Sequence, residues 1–428
     1  MSIFNRYKYA KNYKRLLIAA YAFTLLVFAI KLVYTAQLPA VIDFFKTTKA
    51  NATLGLTIYY FVYAAAQIAL GFYITKINFK NYLLITSLLS AISFSLISVI
   101  ESLPVIWAIF AINGFFQAAS WGGIVYITSK YLPNETLSYS SKFLATASAV
   151  GNAVTYGVSA FFVEVSDWRI TFVFFGILFL ISIVYLFIQI GVLDKIIKRK
   201  DEYSFEYIRQ ENDNSSVKQK TTYVVPFGVN FNVKLFMTFI IAVSFLANCL
   251  IYGLGNWIPN LLKDVHGFPT SLSILLTMIM PLISMFATIF MYRSFDKSSR
   301  VFSKTGFMAI ILLGLTVVMV FGFDKNFIFA ILMCALLKYL PTAVSAGYNS
   351  YTLVKIKNYI NSGTSTLIVN SGAAIAAGLM PFITGAIMDN FGWAIYYEFM
   401  AVICLLLVVL IFVGNAIIKK KNNITTWF

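Results

Sequence analysis

Two lysines, Lys31 and Lys338, lie inside otherwise apolar stretches, one in each half of the chain. A charge at the depth of a bilayer is costly and is retained mainly where it lines a water-filled path or meets a charged ligand. Lys338 is roughly 15 Å from either end of its stretch at about 1.5 Å per helical residue, too far for a lysine stem of about 6 Å. For Lys31, which lies nearer one end, a side chain reaching the interface stays an alternative. The pair predicts a central cavity that attracts anions.

Polar side chains recur at helical spacing in the first, fourth, seventh and tenth apolar stretches. This recurrence indicates that one helix of each successive triplet faces the cavity. For the Ser, Thr and Asn side chains, hydrogen bonding between neighbouring helices is the alternative. Gln117 and Lys338 occupy equivalent positions in the two halves, and we expect them to face each other. The predicted substrate-binding residues are Lys31, Tyr34, Asn113, Gln117, Trp121, Asn248, Tyr252, Asn256, Trp257, Lys338, Thr342, Ser345 and Asn349.

The composition requires several membrane spans. Of the 428 residues, 60% are hydrophobic and 11% are charged, whereas a soluble domain has about 25% charged residues. A transmembrane helix needs about 20 apolar residues. The first stretch is too long for the core of a signal peptide. Twelve spans are predicted, at 16–42, 54–74, 82–100, 105–128, 143–163, 170–193, 235–260, 271–291, 306–323, 327–352, 363–385 and 394–417.

The net charge of +17 is distributed according to topology. Lys and Arg cluster at both termini and in every second loop, which marks the cytoplasmic side of a multi-pass protein. This predicts the cytoplasmic (inner) membrane, with both termini cytoplasmic. The same distribution argues against nucleic acid as a partner and leaves the lipid bilayer and a small solute.

The chain repeats with an offset of about 220 residues. A parallel repeat of six plus six helices, with the substrate between the halves, is a known transporter plan. The predicted domains are an N-terminal six-helix bundle at 1–193, a cytoplasmic linker at 194–234 and a C-terminal six-helix bundle at 235–428. The fold class is therefore an all-α membrane protein with two pseudo-symmetric bundles. The paired positions are Pro39 with Pro259, which close the first and seventh helices, Gly151 with Gly372, Gly157 with Gly378, and Trp168 with Trp393.

No constellation for catalysis is present. Cys249, Cys334 and Cys404 have no metal-ligand or pairing spacing and are predicted to be buried free thiols. His266, the only histidine, is assigned to an external loop. We therefore predict no enzyme activity, no metal and no cofactor. Because no Asp or Glu falls in the middle of a span, exchange is favoured over proton coupling.

Four groups of residues form a recognisable pattern: Asn113-Gly114-Phe115-Phe116-Gln117 and Trp121, then Tyr252-Gly253, Trp257, Pro259, Leu262 and Lys263, then Asp296-Lys297, and then Gly378, Pro381, Gly385, Asp389, Gly392 and Trp393. In these segments the chain resembles the major facilitator superfamily and, within it, the organophosphate:phosphate antiporters and related organic-anion transporters. The resemblance implies the twelve-helix fold, alternating access and function as a monomer. It also implies a cytoplasmic gating latch of Arg293, Asp296, Lys297 and Arg300, for which ordinary positive-inside anchoring is the alternative.

The departures from that pattern affect the expected substrate. Lys31 occupies the first-helix arginine position and Ile251 the seventh-helix one, so the bidentate grip on phosphate is lost. The prediction is secondary active transport, by exchange, of a small organic anion, either a carboxylate or a phosphorylated metabolite. The alternative is an uptake carrier for an amino acid or another zwitterionic nutrient, proton-coupled or facilitative.

Overall fold

The computed structural model of the protein describes residues 4, 9–73, 78–133, 136–208, 232–297, 300–348 and 362–422. Within these ranges the regular structure is helical and contains no strand. The predicted all-α membrane fold is confirmed.

The helices of the first half begin and end close to the predicted spans. Asn78 accepts a hydrogen bond from the backbone N–H of Asn81 (3.4 Å) and so caps the start of α4. Such a cap satisfies a donor that the first helical turn cannot use. The helices are α1 (Ala10–Ala36), α2 (Leu38–Phe45), α3 (Lys49–Tyr73), α4 (Phe79–Leu96), α5 (Leu103–Gln117), α6 (Ser120–Tyr131), α7 (Leu137–Val165) and α8 (Ile170–Ile208).

The second half begins in the same way, because Asn232 accepts from the backbone N–H of Leu235 (3.0 Å) at the start of α9. Its last element contains Gly392 at φ 80°, which divides it into helices over 362–391 and 393–422. The helices are α9 (Val233–Gly255), α10 (Ile258–Asp264), α11 (Thr270–Thr277), α12 (Ile279–Lys297), α13 (Val301–Val320), α14 (Phe327–Ala346) and α15 (Ser362–Asn422).

Pro39 and Pro259 do not close the spans, so this prediction was wrong in detail. Each lies in the first turn of a short helix, α2 or α10, that continues the span after a break. Proline lacks an N–H group and interrupts a helix, but the first turn tolerates it because its N–H groups have no helical acceptor. The first and seventh spans therefore share the same broken form.

Ten segments of the described chain are long and apolar enough to cross a membrane. The last of these, Ile368–Ile418, contains the break at Gly392 and corresponds to two helices. The 29-residue helix α7, which is richer in Ser, Thr and Gly, is not among the ten. With α7 added and the last segment divided, the described residues account for the twelve predicted spans.

Large apolar side chains cover the outside of the bundle, as in Phe321 and Phe391, which are 71% and 68% exposed. An apolar surface of this extent suits contact with lipid rather than water. The three cysteines are buried free thiols, as predicted.

The division into two halves and a linker stays a prediction. Helix α8 continues through the predicted boundary at 193–194 to Ile208. Residues 209–231, which form most of the predicted linker, lie outside the described part of the chain.

Candidate functional site

Lys31, in the last third of α1, is half-buried and surrounded by aromatic rings. Its Nζ donates to the hydroxyl of Tyr63 on α3 at 3.2 Å. The same nitrogen lies 4.3 Å from the ring centroid of Tyr63 and 5.7 Å from that of Phe28. The negative face of an aromatic ring attracts a cation, and this attraction grows when water is excluded. These neighbours thus partly compensate the buried charge without neutralising it.

Lys338, in the middle of α14, reaches across to the end of α9. Its Nζ donates to the backbone carbonyl of Ile251 at 3.0 Å and lies 5.9 Å from the Tyr252 ring centroid. Carbonyls near a helix C-terminus carry partial negative charge, which stabilises a cation. Gly255 leaves the space that the ammonium occupies, because a Cβ at that position would lie 2.3 Å from Nζ.

A row of tyrosines connects the surroundings of the two lysines. On α3, Tyr59 stacks on Tyr63 at 5.9 Å and meets Tyr60 edge-on at 5.0 Å between ring centroids. Tyr60 then meets Tyr252 on α9 at 5.8 Å. The contact between Tyr60 and Tyr252 joins the two halves of the protein at the level of the lysines.

The side-chain amides of Asn113 and Gln117 form hydrogen bonds within the N-terminal half. Asn113 accepts from Ser90 (2.7 Å) and donates to Ser93 (2.9 Å). Gln117 accepts from Tyr59 (2.9 Å) and donates to Ser90 (3.2 Å). Both side chains are almost fully buried. Their described contacts follow the alternative of hydrogen bonds between helices, and that Gln117 faces Lys338 stays a prediction.

Several other predicted residues also bond within the bundle. Tyr34 donates to the carbonyl of Ala52 (2.7 Å), and Trp257 donates to Thr384 (2.9 Å). Asn248 donates to the Ser244 carbonyl (2.8 Å) and to the Ser345 hydroxyl (3.4 Å).

Four predicted residues remain. Thr342 donates to the carbonyl of Lys338 one turn earlier, at 2.7 Å. Asn256 is buried at the end of α9. Trp121 is half-buried and meets Phe28 at 6.2 Å between ring centroids. Asn349 lies outside the described residues.

The predicted gating residues lie at the junction of α12 and α13. The side chains of Arg293 and Arg300 are exposed there. Asp296 and Lys297 belong to α12, but their side chains lie outside the described part of the structure. The gating role of this group stays a prediction.

Polar contacts join the halves at the end of the bundle that the loop charges predict to be external. Lys263 forms an ion pair with Asp43, and Lys49 forms another with Asp264 at 3.0 Å. The carboxylate of Asp389 accepts from the first backbone N–H groups of α3, and Glu164 accepts from Ser271 at the start of α11 (2.5 Å). Deeper in the interface, Thr57 donates to the Gly378 carbonyl at 2.7 Å. We call these contacts the inter-half latch.

Sequence reasoning missed the tyrosines of α3 and the partners of the latch. Tyr59, Tyr63 and Gln67 recur at four-residue spacing, and Gln67 donates to the Tyr63 hydroxyl at 2.9 Å. This periodicity marks a polar face on the second helix. It is visible in the sequence, but tyrosines in an apolar stretch are also typical of an ordinary core.

The chain matches the family model of the Major Facilitator Superfamily over residues 16–366 and belongs to that superfamily. A bacterial homologue of the human lysosomal transporter Spinster, in an inward-facing and unoccupied conformation, aligns with a TM-score of 0.76 and 14% identity over 96% of this chain and 98% of that one. The D-xylose–proton symporter aligns with a TM-score of 0.69 and 16% identity, over 93% of this chain and 96% of that one.

The nucleoside transporter NupG aligns with a TM-score of 0.68 and 12% identity, over 93% of this chain and 99% of that one. At these identities the likeness establishes the fold. No curated protein sequence matches the chain. The protein is therefore a multi-pass membrane transporter of small solutes, a class whose members are typically not enzymes.

Proposed function

We propose that the protein is a secondary active transporter that exchanges small organic anions across the cytoplasmic membrane by alternating access. In this proposal both termini are cytoplasmic, the functional unit is the monomer, and the cargo binds between the halves. Lys31 and Lys338 bind its negative charge. This proposal does not require the protein to be a member of the organophosphate antiporters.

The observation that carries the proposal is that the described contacts of the two lysine side chains are all with neutral groups. Lys31 donates to a phenolic hydroxyl and Lys338 to a main-chain carbonyl. Among the described residues, neither lysine forms an ion pair. A buried cation held only by neutral groups keeps most of its attraction for an anion, because a neutral partner leaves its charge uncompensated.

Exchange follows from the repulsion between the two cations when no anion is bound. Like charges in a partly dry cavity repel more strongly than in bulk water. A bound anion, whether the imported or the exported one, relieves the repulsion. The loaded protein therefore converts between its conformations more readily than the empty one. A bound anion also provides the compensating charge that no described acid supplies to either lysine.

A zwitterionic nutrient is the second candidate, and the tyrosine row favours it. The hydroxyls of Tyr60 and Tyr252 lie on rings that meet between the halves, and a phenolic oxygen can accept from an ammonium. In that case the lysines hold the carboxylate of an amino acid and the tyrosines hold its amino group.

The test uses the purified full chain and four probes: succinate, glycerol 3-phosphate, benzoate and leucine. Thermal stabilisation selects the tightest probe, and its labelled form is then followed by counterflow in proteoliposomes. We expect an anion to bind best, counterflow to persist with a protonophore, and Lys338→Met to abolish both signals. Lys325→Met, which removes an exposed loop lysine, serves as the matched control and is expected to behave as the wild type.

Three results decide against parts of this proposal. Leucine as the tightest probe would favour the zwitterion carrier. Uptake driven by an imposed pH gradient alone would overturn exchange. Binding of every probe unchanged in Lys31→Met and Lys338→Met would overturn the anion site itself.

A further inference from the structure

We infer that the cargo is an aromatic carboxylate: a single anionic group on a flat, apolar body. This inference rests on the proposed function and narrows its substrate class. It excludes sugar phosphates and other polyhydroxylated anions as the preferred cargo.

Aromatic rings lie beside both lysines. Phe28 meets Trp121 across α1 and α6, and Tyr60 meets Tyr252 across the halves. All four rings are partly exposed, whereas core aromatics such as Phe23 and Phe175 are 0% exposed. Partly exposed aromatic rings therefore lie next to both lysines or next to the rings that contact them.

The predicted amide side chains of the site are already hydrogen-bonded, although a polyol would require such groups to be free. Sugar hydroxyls are held by amides and carboxylates that have free donors and acceptors. The amides of Asn113, Gln117 and Asn248 instead have partners within their own halves. Releasing these buried amides for a substrate would leave their present partners unsatisfied, which is unfavourable.

The positive groups of the site are lysine ammonium groups, which favour a carboxylate over a phosphate. An ammonium is a compact charge without the planar fork by which arginine grips a phosphate. Lys31 already lies against Phe28 and Tyr63, and Lys338 lies against Tyr252. A carboxylate on an aromatic ring can meet the ammonium while its ring packs edge-to-face or offset on the same aromatic walls. A longer polar anion would place most of its hydroxyls against ring faces, which offer far weaker hydrogen bonding than amides and carboxylates.

The experiment compares probes of matched charge on the purified full chain. Benzoate and 4-hydroxybenzoate represent the inferred class. Cyclohexanecarboxylate keeps the charge and size without the aromatic ring, succinate and glucose 6-phosphate represent polar anions, and benzyl alcohol is the uncharged control. Affinity is measured by titrated thermal shift and by inhibition of counterflow.

We expect benzoate to bind about tenfold more tightly than succinate or glucose 6-phosphate, and benzyl alcohol not to bind measurably. Phe28→Leu and Trp121→Leu should each weaken benzoate by about fivefold, the factor that corresponds to one aromatic contact. Phe115→Leu, which removes a ring that is 47% exposed on α5, is the matched control and should leave benzoate binding unchanged. Should the leucine variants fail to fold, the comparison of benzoate with cyclohexanecarboxylate on the wild type decides the same question.

The outcomes separate this inference from the proposed function. If succinate or glucose 6-phosphate binds at least as tightly as benzoate, and Lys31→Met abolishes that binding, the aromatic class is overturned and the anion transporter stands. Equal affinity for benzoate and cyclohexanecarboxylate also overturns the aromatic requirement. If no anion binds in a lysine-dependent manner, both fall.

Discussion

Asp389, in the helix before Gly392, caps the start of α3 in the opposite half of the protein. Its two carboxylate oxygens accept from the backbone N–H groups of Lys49 (3.1 Å) and Ala50 (2.9 Å). The helix N-terminus carries partial positive charge and unsatisfied donors, so a carboxylate stabilises it. Glu164 lies at the equivalent start of α11, where its carboxylate accepts from the side-chain hydroxyl of Ser271 rather than from backbone N–H groups. The two halves thus close on each other through a pseudo-symmetric pair of acids.

Asp389→Ala should loosen this closed end. Loss of a helix cap costs about 1 kcal/mol, which shifts the equilibrium between closed and open arrangements about fivefold. The measure is the rate at which an impermeant maleimide labels Thr57→Cys, because Thr57 lies in the same interface. The native cysteines are buried, and the chain without Thr57→Cys gives the background rate. The parent for this comparison is the Thr57→Cys chain without a second substitution.

Asn390→Ala is the control for this prediction, because Asn390 donates only one described hydrogen bond, to the carbonyl of Ala386 in its own helix. We expect that variant to label as slowly as the parent. Equal labelling of the Asp389→Ala and Asn390→Ala proteins would show that the cap does not hold the halves together.

The ion pair between Asp43 and Lys263 should also contribute to closure. Asp43→Lys and Lys263→Asp each place like charges together and should accelerate maleimide labelling. The double exchange restores opposite charges and should return the rate toward that of the parent. Since Asp43 is largely exposed, we expect a coupling energy below about 1 kcal/mol that falls with added salt. Additive effects of the two single changes would argue against a functional pair.

Gly255→Ala should displace the ammonium group of Lys338 without unfolding the protein. The added Cβ would lie 2.3 Å from the ammonium nitrogen, and a flexible lysine can move away. We expect anion affinity to fall at least about tenfold, the effect of losing one charge-assisted contact, while the melting temperature without ligand changes little. Gly314→Ala, at a position with open space around it, is the control. Unchanged affinity in Gly255→Ala would mean that the position of Lys338 does not matter for binding.

Acidic pH should remove the contribution to stability that Asp167 makes in the loop between α7 and α8. Burial alone would raise the pKa of Asp167, but the side chain and backbone N–H of Arg169 donate to its carboxylate and hold that pKa below its usual range. The resulting stabilisation is present above about pH 4, the pKa of an unfolded aspartate, and is lost as pH falls through the lower folded value. Because the Asp167 side chain is 37% exposed, the effect should stay below about 1 kcal/mol.

The measurement is the melting temperature of Asp167→Asn and the parent between pH 3 and pH 7, expressed as a difference. We expect the difference to be largest near neutral pH and to shrink as the acid range is reached. Glu101→Gln is the control, because Glu101 is 79% exposed and 3.7 Å from Arg169. A constant difference over the whole range would exclude the ionised carboxylate as its cause.

The fold and the positions of the two lysines could be predicted because a lipid solvent restricts the sequence strongly. Apolar stretches long enough to span must be helices, and Lys31 and Lys338 stand out because charge is rare there. The contacts of Asn113 and Gln117 could not be predicted in the same way. An amide on a polar stripe can face either a cavity or a neighbouring helix, and only the positions of Ser90, Ser93 and Tyr59 decide between them.

The inter-half latch was beyond sequence reasoning for a different reason. Asp43 and Lys263 are 220 residues apart, and Asp389 is 340 residues from Lys49. Each acid near a span end looks like an ordinary interfacial residue. Only the way in which the two halves meet selects which of these charges become partners.

The partner of Lys338 is part of the main chain, unlike that of Lys31. A substitution at position 251 does not remove the carbonyl that accepts from the ammonium, because this carbonyl belongs to the main chain. The position of the acceptor therefore depends on the backbone path of α9. An anion that draws the ammonium away withdraws a tether from the final turns of α9, just before the chain breaks at Asn256 and Trp257. Under the proposed function, binding of the anion therefore frees the backbone at the end of α9 from a hydrogen bond that restrains it.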